Sequence, residues 1–127
     1  MHPDAEIRLP ADTAFVAVLR IATAGLAARL DFTLDDIEDL RMAIGEASTM
    51  LLERARPGGQ LIAEYRLGEG RIDVRVSVDA VNPTTPETDS FAWQVLTTTA
   101  KDVTAEAGDD QLTIALAVTS TTSSAPA

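Results

Sequence analysis

The segment Thr33-Leu34-Asp35-Asp36-Ile37-Glu38-Asp39-Leu40-Arg41-Met42-Ala43-Ile44-Gly45-Glu46-Ala47-Ser48-Thr49-Met50-Leu51-Leu52 reads as one amphipathic helix. Ile37, Leu40, Ile44, Ala47 and Leu51 recur every three or four residues, the spacing that brings side chains onto one helical face. Thr33 with Asp36 three residues later resembles a capping box, and the acidic first turn complements the positive end of the helix dipole. The helix must stop near Arg56, because Pro57-Gly58-Gly59 places three helix-disfavouring residues in a row.

On its N-terminal side, Glu6 to Pro10 predicts a short strand, and Asp12 or Thr13 caps a first helix running from about Thr13 to Leu30. Phe15, Leu19, Ala22, Leu26 and Leu30 form that helix's apolar stripe. On the C-terminal side, Leu61 to Leu67 and Ile72 to Val78 alternate as the two arms of an antiparallel hairpin around Gly68-Glu69-Gly70. A proline-bearing loop follows, then a short helix around Phe91-Leu96 and a second hairpin, Val103-Ala107 with Leu112-Val118. The order β-α-α-β-β-α-β-β predicts a two-layer α/β sandwich, a mainly antiparallel sheet covered by about three helices. Residues 1–118 are expected to form one domain and 119–127 a disordered tail.

Charge and composition close off several classes of function. The 127 residues carry 20 acidic and 10 basic side chains, a net charge of −10, which repels phosphate backbones and anionic lipid surfaces. No direct nucleic-acid or membrane partner is expected, and basic proteins are favoured. Zero cysteines exclude disulfides, thiolate zinc sites and cysteine nucleophiles, and a cytoplasmic location is the default. The single histidine, His2, lies near the terminus, which excludes a Ser-His-Asp hydrolase built in the core. No GxSxG, GxxxxGK[ST] or HExxH segment occurs.

Glu46 falls off the apolar stripe of the second helix. A carboxylate there either polarises a hydroxyl beside a bound phosphate or is a solvated helical side chain. Phe91 and Trp93 likewise have two uses, packing in the core or anchoring a protein partner. The acidic residues Asp31, Asp35, Asp36, Glu38 and Asp39 gather at the start of the second helix, where they serve a basic partner or simply solvate the helix end.

Leu40-Arg41-Met42-Ala43-Ile44-Gly45-Glu46-Ala47-Ser48-Thr49 resembles the helix of RsbW-like anti-sigma factors, a branch of the GHKL ATPase and kinase superfamily, whose usual form is L-R-L-A-V-x-E-A-x-T-N. Leu34 to Glu38 matches the family's approach to that helix, and with the element order the resemblance covers most of Glu6 to Val118. It implies a Bergerat-type ATP-binding fold that sequesters an alternative sigma factor. In active members the fold also phosphorylates an anti-anti-sigma (STAS) protein on serine or threonine, and pairing of two copies is implied as well. Glu46 matches the catalytic carboxylate, Asp79 the adenine acceptor, and Thr113 a threonine on the last strand.

The departures from the family pattern are specific. Met50 stands where an asparagine holds Mg²⁺, and a soft thioether cannot replace a hard oxygen donor. Val81 occupies a glycine position after Asp79, no glycine lies between Arg71 and Ala107 to form a phosphate-wrapping lid, and Lys101 is the only lysine. The leading expectation is therefore an anti-sigma regulator that works by binding, with kinase activity weak or lost and no cofactor. An active kinase would need ATP and Mg²⁺, with Asp39 or Glu53 as replacement metal ligand. A third possibility is a small-ligand sensor using the vacated cleft.

Overall fold

β2 (Gln60–Gly68) and β3 (Arg71–Asp79) form the central hairpin of the computed structural model, which describes residues 2–121. The hairpin closes through Gly70, whose φ of +69° is open to glycine and costly for other residues. β1 (Ala5–Pro10) pairs with β2, β5 (Gln111–Thr119) pairs with β3, and β4 (Lys101–Gly108) pairs with β5. The order is β1-β2-β3-β5-β4, and every neighbouring pair is antiparallel. The predicted sandwich is present, with an entirely antiparallel sheet.

Alternation divides this sheet into two unlike faces. Leu61, Ala63 and Tyr65 on β2, the even-numbered residues Ile72 to Val78 on β3, and Leu112 to Val118 on β5 are buried on one face. Helices α1 (Val16–Ala27), α2 (Leu34–Leu52) and α3 (Phe91–Thr99) form the second layer, with α2 packed against β3, β5 and both other helices. Burial of each large side chain such as Leu40, Ile44 or Leu51 stabilises the fold by roughly 1.5–3 kcal/mol. The opposite face of the sheet is open and carries Arg71, Asp73 and Arg75 with their partners.

Four boundaries differ from the sequence reading. The first helix opens as a 3₁₀ turn, Thr13–Phe15, capped by Asp12, whose Oδ1 accepts from Ala14 N at 2.9 Å. It leaves α-helical geometry at Ala27, where Arg29 and Leu30 bond back to Leu26 and Ala27 in a tightened turn, and Asp31 takes φ +58°. Leu30 and Phe32 thereby pack against the core instead of extending the helix. α2 ends at Leu52, because Ala55 bridges to Ala80 and Arg56 N donates to the Asp79 carbonyl at 2.7 Å, drawing the chain onto the end of β3. The expected tail begins later than Val118: Thr119 closes β5, Ser120 and Thr121 are hydrogen-bonded, and residues 122–127 lie outside the described residues.

Candidate functional site

α2 has both halves of its capping box: Thr33 N donates to Asp36 Oδ2 at 2.9 Å, and Asp36 N donates to Thr33 Oγ1 at 3.1 Å. Its flanks face different neighbours. Gly45 faces α1, where a Cβ would meet Arg20 Cδ at 3.3 Å. Ser48, about one turn on, is fully buried. Ala43 and Met50 lie on the far side of the helix from Gly45 and are buried, and α3 also packs on this helix.

Met50 is 4 % exposed and belongs to the same apolar cluster as Ala43, Ala80, Trp93 and Leu96. The position at which the resemblance calls for a Mg²⁺-holding amide is thus filled by a thioether packed in the core. Glu46, one turn before Met50, is half-buried. Asp39 and Glu53 are exposed and lie seven residues before and after Glu46, about 10 Å away along the axis. Among the described residues no group of three or more His, Cys, Asp or Glu side chains is placed to hold a metal.

Asp79 and Thr113 are not brought to Glu46. Val78 pairs with Leu61 and Leu112 on the helix-covered face, so the two-residue period directs Asp79 and Thr113 to the other side of the sheet. Asp79 Oδ2 accepts from Gln60 N at 2.9 Å, and its side chain lies so close to Gly59 that a Cβ there would meet Asp79 Cβ at 2.9 Å. The carboxylate therefore secures the start of β2, and the residue facing the helices is apolar Val78. Thr113 shares a hydrogen bond of 2.7 Å with Ser77. Val81, at the expected glycine position, is exposed.

The two aromatics separate. Trp93 is 8 % exposed and packs in the core, whereas Phe91 is 79 % exposed at the start of α3. Ser90 caps this helix through its Oγ, which accepts from Trp93 N at 3.1 Å.

Of the acidic group, Asp31, Asp35, Glu38 and Asp39 are exposed, and Glu38 accepts from Arg41 at 3.0 Å. Asp36 is not part of that surface. It is 4 % exposed, and Thr33 and Thr121 both donate to its carboxylate. Burial alone would raise its carboxyl pKa, but the bonds from Thr33 and Thr121 outweigh that and hold it below the ordinary 3.8. Leu34, 82 % exposed, stands among the remaining carboxylates and had no signal in the helical period beyond its place at the helix start.

Sequence reasoning also missed the α1 flank. Arg20 Nε and Ser48 Oγ are buried and have no hydrogen-bond partner among the described residues. The signal was the lone arginine inside the apolar run Val16 to Ala27. On the open sheet face a groove of about 640 Å³ is lined by residues that include Arg66, Arg71, Asp73 and Asp102. Within it Arg71 is paired: it bonds to Asp73 and, at 2.9 Å, to Asp102, and these partners raise its pKa.

A five-stranded antiparallel sheet, covered on one face by three helices with the Glu46 motif on the second, defines a sandwich of the GHKL type. The RsbU and RsbW domains of Rv1364c from Mycobacterium tuberculosis share this fold, with a TM-score of 0.67 and 16 % identity over 91 % of this chain and 32 % of that one. The chain is similar to RsbW-like proteins of the GHKL superfamily. It is 35 % identical over 79 residues to the serine-protein kinase RsbW of Bacillus thuringiensis (strain Al Hakam), with 61 % of this chain matched. The same figures hold for RsbW of Bacillus cereus (strain AH820) and of Bacillus anthracis. The chain spans about half the length of these curated relatives, 49 %. No protein-family model matches the chain. No helix among the described residues is long and apolar enough to cross a membrane.

Proposed function

We propose that the chain is an anti-sigma regulator that acts by binding: it sequesters an alternative sigma factor, switches to an anti-anti-sigma protein, and has lost its kinase chemistry. The observation that carries this reading is Met50, buried in the apolar core one turn from Glu46, at the position where the resemblance calls for a Mg²⁺-holding amide. Two further features support it: Asp79 is engaged on the other side of the sheet, and the lid segment lacks glycine.

The binding surface proposed for a basic partner is the exposed start of α2, with Leu34 as an apolar anchor among Asp31, Asp35, Glu38 and Asp39. Sigma factors supply such basic surfaces because they contact DNA. The apolar outer side of α1, with Val18 and Ile21 exposed, is available to a second copy of the chain. The reading places the chain in the cytoplasm, with no cofactor of its own.

Titration of the purified chain with purified alternative sigma factors and anti-anti-sigma proteins of its own cell, without nucleotide, tests this. Saturable binding to one member of each class is expected, weakened by salt and by Asp35→Asn with Glu38→Gln. Binding to neither class overturns the proposal.

A further inference from the structure

Three parts of the chain meet at the end of β5. Ser120 donates from its backbone N to the Gly70 carbonyl at 2.8 Å and from its Oγ to the Asp31 carbonyl at 2.8 Å, joining the β2–β3 turn to the α1–α2 connection. Thr121 donates from N at 3.1 Å and from Oγ1 at 3.2 Å to Asp36 Oδ2. That same oxygen accepts from Thr33 N within the capping box. One carboxylate oxygen thus serves both the helix's own cap and a residue 85 positions further along the chain.

The first amides of a helix have no partner within it, so this end of α2 is where the helix would otherwise fray. Bonds to a charged acceptor are the stronger kind, and here they join the fraying point to β5, a strand paired on both sides. Leu34, Asp35 and Glu38 project from the turn that is held in this way.

We infer that Asp36 and Thr121 form a clasp by which the end of β5 sets the first turn of α2 and, with it, the acidic surface offered to a basic partner. Asp36 is a positioning residue for that surface and does not touch the partner. The role toward a partner rests on the proposed function, whereas the clasp itself does not.

Amide hydrogen exchange on the full chain tests the clasp without any partner. In Asp36→Asn, protection of the amides of Thr33, Asp36 and Ile37 is expected to fall about tenfold or more, because charged acceptor bonds are weakened. In Thr121→Val, which keeps the backbone donor and loses the hydroxyl, the fall is about threefold. Amides of the β3–β5 ladder keep their protection in both. Unchanged protection at Thr33, Asp36 and Ile37, or a loss spread equally through β3 and β5, overturns the clasp; if Asp36→Asn does not fold, Thr121→Val alone decides. With a sigma factor that binds the wild-type chain, Thr121→Val is expected to weaken binding about threefold without altering its salt dependence, since no charge is removed. Unaltered affinity alongside lost protection contradicts the positioning role. A wild-type chain that binds no sigma factor defeats the proposed function and leaves the exchange result standing.

Discussion

The two flanks of α2 differ in chemistry although one short motif supplies both. Away from α1, Ala43 and Met50 are buried in the apolar core that also holds Trp93 and Leu96 of α3. Toward α1, Gly45 lies under Arg20, and Ser48 and Arg20 retain buried polar atoms without partners among the described residues. In a nucleotide-using protein of this fold the α3 flank would be the polar one, because an ion and phosphates need oxygen donors and amides there. The difference teaches that periodicity in the motif reports the fold, while the composition of a single flank reports whether the chemistry remains.

Substitutions sharpen this comparison. The largest effect is expected for Trp93→Ala, which empties the α3 seam and should lower stability by about 3–5 kcal/mol in denaturant unfolding. Met50→Asn restores the family's residue but buries an amide among apolar groups. It is expected to cost about 1–3 kcal/mol in the same assay and to leave calorimetry with Mg-ATP flat, and a gain of nucleotide binding would break the contrast between the flanks. Gly45→Ala on the other flank adds helix propensity, and its Cβ displaces only the flexible Arg20 side chain. A net stabilisation of less than about 1 kcal/mol is expected, measured as a higher thermal midpoint.

The smallest effect depends on pH. The folded-state pKa of Asp36 is depressed, so its stabilising contribution is complete above its unfolded value and is lost as pH falls through the folded one. The stability gap between wild type and Asp36→Asn should therefore be widest near neutrality and close as pH drops below 3.8. A gap that widens in acid would contradict the hydrogen bonding assigned to this carboxylate.

Most of the fold was legible because it rests on local periods. Ile37 to Leu51 keeps helical spacing, Ile72 to Val78 keeps strand alternation, and the glycine turns fall between such runs. The site was less legible, because it depends on single-residue parity and on distant partners. Asp79 sits at the strand end where a binding carboxylate was expected, yet one step of alternation gives the helix-facing place to Val78. Asp36 reads as one more surface acid, since the Thr121 bonds that bury it come from the opposite end of the chain. Phe91 and Trp93 are two residues apart on one helix, and only the packing of α3 on α2 tells the exposed ring from the buried one. The end of α1 was overrun for a similar reason, since Leu30 keeps helical spacing but reaches the core from a tightened turn.

Calorimetric titration of the full chain with Mg-ATP addresses the central claim most directly. A closed α3 flank predicts no saturable heat at micromolar to submillimolar nucleotide, in the wild type and in Glu46→Ala alike. Saturable micromolar binding that disappears in Glu46→Ala would show an open, metal-competent cleft beside α2 and contradict the account.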